Sequence, residues 1–522
     1  MRGEHVVIIG AGIGGLSAAA LLAARGFGVT VVEKEASVGG KLRTLSPAGR
    51  PIDAGPTVFT MRWVFESIFA QAGADFAQSV KLTPLDILAR HAWDDRETLD
   101  LHADVQASID AIARFSGPDE GRRYGEFCAQ AKRTYTTLEQ PFLRGSKTSS
   151  FGLTKRIGFA NLGAMMGIRP FTSMWNSLGR YFHDPRLQQL FGRYATYCGS
   201  SPYLAPATLM LIAHVEQSGV WSVEGGMHHV ARAMAELAVR NGADIRCGNG
   251  CTTIEMQGER LSAVRLDNGT TLKADHVIAN CDPAAIATAL FGTEASRAVP
   301  PTKPADRSLS AFCWVIDTAT QGFDLKRHNV FFSPDYAAEF ADILGQGRPP
   351  ADPTVYVCAQ DRDQPGSVVA PGSPERIQII VNAPASGDHN PLTPKEIATC
   401  ETRMFARLAR CGLTMDAAPE QVKLTTPQGF NQLFPATGGA LYGRATHGWA
   451  AAFKRPGART AIPGLYLAGG GTHPGAGVPM AALSGWQAAD SLCAARASTR
   501  VFHPVVTAGG ISTHSAKTDA TA

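Results

Sequence analysis

The residues best placed to do chemistry stand at the start of the chain. Gly10-Ala11-Gly12-Ile13-Gly14-Gly15 follows the short β-branched run His5-Val6-Val7-Ile8-Ile9 and precedes an apolar stripe, Leu16, Ala19, Ala20 and Ala23, that ends at Gly26. A second run, Val29 to Val32, closes on Glu33. Strand, glycine turn, helix and strand within about thirty residues is the setting in which such a turn cradles a pyrophosphate. Gly10 makes the turn, Gly12 admits the phosphate to the backbone, and Gly15 lets the helix sit close to the strand. The helix N-terminus then offers its unpaired N–H groups and the positive end of its dipole to the anion. Glu33, 23 residues after Gly10, is placed to accept from both hydroxyls of an adenosine ribose. A 2′-phosphate would be repelled there, which disfavours NADP.

FAD and NAD both remain open at this point, and the next residues bear on the choice. Lys34 is followed by the double glycine Gly39-Gly40 and the cations Lys41 and Arg43. A tight loop carrying those cations could neutralise the pyrophosphate from its far side, which suits a cofactor lying extended across the domain. Asp53-Ala54-Gly55-Pro56-Thr57 adds a second small-residue loop. Two ordinary surface turns are the plainer alternative for both.

These loops need elements to hold them. Gly225-Gly226 precedes a helical stripe of Val230, Met234, Leu237 and Ala238 that stops at Asn241-Gly242, a natural C-cap. Strand patterns follow at Ile245, at Leu261 to Leu266 and at Val277 to Ala279, with Asp267-Asn268-Gly269 as a hairpin turn. This block reads as a return into the first domain. Residues 301–430 carry strand patterns at Ala311 to Ile316, Val355 to Val357 and Ile377 to Val381, as a second, sheet-bearing domain would. Gly464-Leu465-Tyr466-Leu467-Ala468-Gly469-Gly470-Gly471 is a strand running into a glycine loop, and a helix is predicted from about Gly477 to Pro479. The glycines at 10–15, 39–40, 225–226 and 469–477 are where backbone is expected to approach a cofactor. Beyond about residue 500 the chain is polar and small-residue-rich, as a disordered tail would be.

Length and composition set the limits. At about 150 residues per domain, 522 residues make three to four domain-sized units. With 44% apolar residues, 18% charged and 54 glycines, disorder, coiled coil and collagen are excluded. A net charge of +4 without a basic run interleaved with aromatics argues against a nucleic-acid partner. Ten cysteines without a CxxC pair argue against a metal site or a disulfide framework and fit a reducing cytoplasm. No run reaches the 18 or more apolar residues of a spanning helix, so membrane contact is expected to be peripheral.

Two stretches suggest such contact. From Gln140 to His183 there is no Asp or Glu, yet Arg144, Lys147, Lys155, Arg156, Arg169 and Arg180 stand among Phe142, Phe151, Phe159, Leu162, Met165, Met166, Ile168, Phe171 and Trp175. This reads as a surface resting on anionic lipid, or as a helical cap whose cations face water. Tyr194 to Ala213 is almost wholly uncharged and suits an apolar tunnel or simple core equally.

Taken together, Gly10 to Gly15 with Glu33, Gly39 to Arg43, Asp53 to Thr57, the Gly225-Gly226 block and the Gly469 to Ser484 signature with its Gly-Thr-His-Pro-Gly-Ala-Gly run resemble the flavin-dependent carotenoid desaturases of the bacterial phytoene-desaturase type, within the larger amine-oxidase-like flavoproteins. The resemblance implies an α/β fold: a discontinuous Rossmann-type FAD-binding domain from 1–80, 220–300 and 430–500. An α+β substrate domain from 81–219 and 301–429 is interleaved with it, with 140–215 as a helical membrane-associating cap and 501–522 as a tail. It implies non-covalent FAD, with Gly469, Gly470, Gly477, Val478 and Met480 around the ribityl and isoalloxazine ends and the strand near Cys251 and Thr252 passing the adenine. Many of the wider group carry an acid for the ribityl chain where this sequence has Gly470-Gly471.

The implied cofactor-binding set is therefore Gly10, Gly12, Gly14, Gly15, Glu33, Lys34, Gly40, Lys41, Arg43, Gly55, Pro56, Thr57, Cys251, Gly469, Gly470, Gly477, Val478 and Met480, with no metal. His473, in the terminal glycine loop, is the candidate catalytic acid–base, a structural hydrogen-bonding role being its alternative. The stretch from Arg193 to Met227 is most similar to hydroxycarotenoid 3,4-desaturases. That implies two hydrogens removed from a 1-hydroxycarotenoid such as 1-hydroxyneurosporene, electrons passing to oxygen or a quinone, and a cytoplasmic enzyme peripheral to the inner photosynthetic membrane. His214 and Glu216 are placed to meet a tertiary hydroxyl, or are ordinary core and surface residues. A phytoene desaturase, a flavin amine oxidase and a non-enzymatic prenyl-binding escort are the competing readings.

Overall fold

Five short strands, gathered from three distant parts of the chain, form one parallel sheet in a computed structural model that describes residues 4–94, 97–158, 171–362 and 369–501. Their order is Leu465–Leu467, His276–Ala279, His5–Ile9, Gly28–Val32 and Asp244–Arg246. In the central strand Val7 pairs with Val277 on one side and Thr30 on the other. Residues Val6 to Ile9 and Val29 to Val32 are all buried, which explains why these strands are continuous β-branched runs rather than alternating ones.

The first helix, Ile13–Ala24, is buried from Ile13 to Ala23. It lies between the sheet and the last helix, Val478–Val501, and those two helices share one core with Arg62–Gln71 and Met227–Arg240. Close approach of the first and last helices depends on glycine. A Cβ on Gly485 would stand 1.9 Å from the Gly14 carbonyl oxygen, and a Cβ on Gly14 would stand 2.9 Å from Ala481 O.

A second, mixed sheet has seven strands in the order Val422–Thr425, Ser310–Thr318, Glu375–Ala383, Val355–Ala359, His328–Phe331, Ile87–Ala92 and Thr98–His102. All its pairings are antiparallel except His328–Phe331 with Ile87–Ala92. Successive side chains on a strand point to opposite faces, and the long strands use both. Phe312, Trp314, Ile377, Ile379 and Val381 pack with Cys400, Met404 and Leu408 of helix Pro394–Arg410. Ala311, Cys313, Gln378, Ile380 and Asn382 face a large cavity on the other side. The strands at 87–92 and 98–102 went unread in the sequence. They pair antiparallel, with Leu88, Leu99 and Leu101 buried in the helical-region core and an ion pair, Arg90 Nε to Asp100 Oδ1 at 2.7 Å, across the ladder.

The remaining segments are a three-stranded sheet, Cys251–Gln257, Arg260–Leu266 and Thr271–Lys273, and a helical region from Val105 to Gln217 with its own core. Within the acid-free stretch the described α-helices are Ser150–Ile157 and Met174–Leu178, after a π-helical turn over Glu139–Arg144. Phe159, Leu162, Met165, Met166, Ile168 and Arg169 lie outside the described residues, as does the tail beyond Val501. Arg144 is paired from just outside that stretch. It pairs with Glu139 at 2.8 Å, one residue before the acid-free count begins, and stacks 3.5 Å from the Trp63 ring centroid. Among the described residues no helix is long and apolar enough to cross a membrane.

Candidate cofactor and substrate cavity

Gly10 turns the chain out of the first strand with φ +97°, and its N–H donates to Val32 O at 2.8 Å. Gly15 then passes so close beneath that a Cβ there would lie 2.2 Å from Gly10 O. The helix starts from Gly12 with no side-chain cap and no acid in its first turn, so its leading N–H groups are available to an anion. Asn280, at the end of the neighbouring strand, donates to Gly10 O at 3.0 Å and braces the turn. Glu33 is buried. Its two carboxylate oxygens accept from Ala11 N–H at 2.8 Å and Glu35 N–H at 3.0 Å, with lone pairs left for hydroxyl donors.

All these groups open on one continuous cavity of about 1,500 Å³, above the roughly 300–1,000 Å³ usual for a single-ligand site. Gly10, Gly12, Gly14, Glu33, Lys34, Gly40, Lys41, Arg43, Gly55, Pro56, Thr57, Cys251, Gly469, Gly470, Gly477, Val478 and Met480 line it. Tertiary structure thus brings together almost the whole expected set; Gly15 and His473 are not on the wall. Gly15 serves close packing, as its contact with Gly10 shows.

His473 departs further from expectation. Its ring is 2% exposed, Nε2 lies 3.0 Å from Phe142 O and 2.9 Å from Gly145 O, and Phe142 meets it edge-on at 4.8 Å. Two carbonyls around Nε2 require a proton there. Burial lowers its pKa below the ordinary histidine value, so the ring is a neutral donor that ties the 142–145 segment to the glycine loop.

Lys41 and Arg43 also turn elsewhere. Lys41 Nζ donates to Leu441 O at 2.5 Å beside the Phe434 ring, and burial lowers its pKa while Asp282 opposes that shift. Arg43 Nη2 donates to Thr425 Oγ1 at 2.6 Å on the seven-stranded sheet. Arg43 thus ties the 39–43 loop to the second sheet and Lys41 ties it to the loop at Leu441, while both remain on the cavity wall. Gly225 and Gly226 are not on the cavity wall either. Their positive φ, +81° and +85°, bends the chain so that Asp53 Oδ2 accepts from Met227 N–H at 2.7 Å, capping the following helix from another segment. Cys251 lines the Glu33 end, its thiol pushed up to about 12 by burial. Beside Gly470-Gly471, where the sequence has no acid, Asp282 is brought in from elsewhere: a Cβ on Gly471 would be 3.1 Å from its Oδ2.

The uncharged stretch from Tyr194 to Ala213 does both things expected of it. Thr196, Tyr197, Cys198, Thr208 and Leu209 line the cavity, while Ala195, Ala205, Met210 and Ala213 are buried in the helical core. Glu216 lines the cavity; His214 instead packs on Tyr135 at 5.1 Å. Three polar residues of the wall, Arg193, Tyr336 and Tyr356, went unremarked because nothing in their local sequence sets them apart. Tyr356 OH meets Thr57 Oγ1 and His328 Nδ1, each at 2.7 Å. The wall also reaches Phe151, Phe171 and Trp449, which are 73%, 75% and 48% exposed and mark the cavity mouth. No His lines the cavity, and no cluster of metal-ligating side chains is present among the described residues.

Comparison with known proteins agrees with this architecture. The model of a family described as flavin containing amine oxidoreductase matches residues 13–493. Hydroxyneurosporene desaturase of Rubrivivax gelatinosus is 52% identical over 99% of this chain and 98% of its own length. The protein of the same name from Cereibacter sphaeroides is 44% identical over 94% and 98%. Among solved structures, an oxidoreductase from Methanosarcina mazei superposes with a TM-score of 0.58 at 17% identity, covering 94% of this chain and all of that one, a likeness of fold.

Proposed function

The chain belongs to the flavin-containing amine oxidoreductases, and from that premise we propose that it is an FAD-dependent carotenoid desaturase that introduces a carbon–carbon double bond into a long acyclic polyene, by 3,4-desaturation of a 1-hydroxycarotenoid. The observation that carries the reading is the continuous cavity of about 1,500 Å³ lined at one end by Glu33 and the uncapped helix and at its mouth by Phe151, Phe171 and Trp449. The similarity to two hydroxyneurosporene desaturases along nearly their whole length supports the choice of substrate class.

The residues fit FAD. Glu33 would hold the adenosine ribose, the N–H groups at Gly12 to Gly14 the pyrophosphate, Asp282 a ribityl hydroxyl, and the start of helix Val478–Val501 the far end of the ring system. When bound, FAD supplies the acceptor for a hydride. The chain's own contribution is to position the polyene and exclude water. Ala311, Ile380, Leu209 and Ile212 give the wall its apolar character. Removing hydride beside a conjugated chain leaves a cation that the polyene itself delocalises, so the following proton loss does not require a strong base. This agrees with a wall that lacks histidine.

The exposed mouth supports peripheral membrane contact. Phe171 and Trp449 meet edge-on at 5.3 Å, and Lys147 lies beside Trp449 in the adjoining groove. Aromatic side chains next to a cation suit the headgroup boundary of an anionic bilayer, from which a water-insoluble substrate would enter. Oxygen or a membrane quinone would then take the electrons.

Incubation of the FAD-loaded protein with a 1-hydroxy acyclic carotene in liposomes tests the proposal. The expected product is two hydrogens lighter, with its absorption bands shifted to the red. Conversion of phytoene with no change in the hydroxylated substrate would replace this reading with phytoene desaturation, and oxidation of amines alone would replace both.

A further inference from the structure

Two cations on the cavity wall share one carboxylate. Lys41 Nζ donates to Leu441 O at 2.5 Å, and Arg455 Nη1 donates to the next carbonyl, Tyr442 O, at 2.9 Å. The same Nη1 donates to Gly470 O at 3.0 Å, so the guanidinium lies against the glycine loop assigned above to the ribityl and isoalloxazine ends. Asp282 stands close by: a Cβ on Gly443 would be 3.4 Å from Asp282 Oδ2 and 3.5 Å from Arg455 Nη1. Its Oδ1 accepts from Ala284 N–H at 3.0 Å and caps the helix Pro283–Ala287. Lys41, Asp282 and Arg455 line the cavity together with Gly469, Gly470 and Gly471.

The charges do not balance. Among the described residues neither cation is ion-paired, and Asp282 is the one carboxylate whose field acts on both. Arg444, the neighbouring cation, is neutralised separately by Asp306 at 2.8 Å. Arg455 is 3% exposed, and its guanidinium donates to three backbone carbonyls, Tyr442 O, Gly470 O and Arg444 O, so dipoles and not a counter-charge meet it. An ammonium has three donors, and the Lys41 side chain makes a single hydrogen bond among the described residues. Two cations against one acid leave one positive charge in excess, in a setting where an unpaired buried charge is costly.

We propose that Lys41, Arg455 and Asp282 form an electrostatic site that holds the reduced, anionic form of the flavin more tightly than the oxidised, neutral form. The oxidised ring system is neutral. Accepting a hydride, which carries two electrons and one proton, makes it an anion and leaves the substrate positive by the same charge. The excess positive charge therefore favours the state after hydride transfer over the state before it, which is the condition for accelerating a step and not merely binding the cofactor. It acts through space, so neither cation has to touch the ring. Asp282 sets the size of the excess. The assignment rests on FAD lying in this cavity and is independent of which polyene is oxidised.

The test measures the midpoint potential of protein-bound FAD, by anaerobic reduction with a reference dye, in wild type, Lys41→Met, Lys41→Arg and Asp282→Asn. The potential reports the ratio of affinities for reduced and oxidised FAD, so weakening common to both forms cancels. Lys41→Met is expected to lower that ratio at least about tenfold, a fall of about 30 mV for a two-electron couple. Lys41→Arg keeps the charge and should stay within about threefold of wild type. Asp282→Asn removes the acid while asparagine still caps the helix, and should raise the ratio at least about threefold. A structural role would not move Lys41→Met and Asp282→Asn in opposite directions. Unchanged potentials, or shifts of the same sign in those two variants, overturn the electrostatic site and leave the flavoenzyme reading standing. Equal weakening of both redox forms by Lys41→Met also overturns it, and assigns Lys41 to the cofactor's phosphates. Where Lys41→Met does not accumulate, the sign of the shift in Asp282→Asn decides. Wild type that takes up no FAD removes both readings.

Discussion

Replacing His473 with alanine separates two roles for the one histidine in the terminal glycine loop. In the structure its Nε2–H is shared by Phe142 O and Gly145 O, and Gln487 Nε2 also donates to Gly145 O at 3.0 Å. The substitution therefore chiefly deprives Phe142 O of its donor, at about 1–2 kcal/mol, and empties the ring's place against Phe142, bringing the total to about 2–4 kcal/mol. With an unfolding entropy of about 2.1 cal/mol/K per residue, 522 residues unfolding as one unit correspond to about 1.1 kcal/mol/K. Tm should fall by about 2–4 °C in differential scanning calorimetry of the FAD-loaded protein.

The pH dependence has a defined sign. Burial places the native pKa of His473 below its ordinary value of 6.5, so protonation favours the unfolded chain. The stabilisation is complete above about pH 6.5 and is lost as pH falls through the lower native pKa. The Tm difference between wild type and His473→Ala should therefore narrow on acidification, while turnover per bound flavin keeps its pH profile. Unchanged Tm together with loss of turnover, or loss of one ionisation from the kcat profile, would refute the structural role and restore an acid–base one.

Other outcomes follow from particular contacts. Glu33→Ala strands the buried Ala11 N–H and removes the acceptor for the ribose; FAD affinity in a fluorescence titration should drop roughly ten- to hundredfold, about 1.5–3 kcal/mol, and equal affinity would exclude the ribose contact. Gly485→Ala drives a Cβ into Gly14 O and should cost about 1–3 kcal/mol in urea unfolding; an unchanged midpoint would show that the two helices separate freely. Phe151→Ser combined with Trp449→Ser should weaken co-sedimentation with anionic vesicles at least about tenfold, whereas the same recovery in the pellet would move the membrane-facing surface elsewhere.

The loops that carry their own chemistry were legible in sequence because their function is written in backbone freedom. Gly10 needs a positive φ, and Glu33 stands a fixed number of residues beyond it, so spacing alone located both. Ser310–Thr318 and Glu375–Ala383 were likewise readable as apolar β-branched runs. In the second, Ile377, Ile379 and Val381 face the helix while Gln378 and Asn382 face the cavity, whereas the first carries apolar Phe312, Trp314 and Ile316 on one face and Ala311 and Cys313 on the other, so its cavity side was not distinguishable. Ile87–Ala92 and Thr98–His102 were missed because Arg90, His91 and Asp100 interrupt their pattern with an ion pair that only the sheet completes. His473 and the Gly225-Gly226 pair looked like site residues because they resemble them locally, and each proved to serve a partner hundreds of residues away or across a domain: Phe142 and Gly145 for the first, Asp53 for the second.

By itself the sequence determined the dinucleotide turn, the two strands that flank it and the family, since each rests on interactions among residues within one strand–helix unit or on identities at matched positions. Tertiary structure decided where the cations point, which residues face the cavity and which polar groups remain unpaired within it. Lys41, Arg43 and Arg193 illustrate the reason: the partner of a long polar side chain lies wherever packing brings a carbonyl or a hydroxyl within about 3 Å, and no local spacing along the chain encodes that meeting.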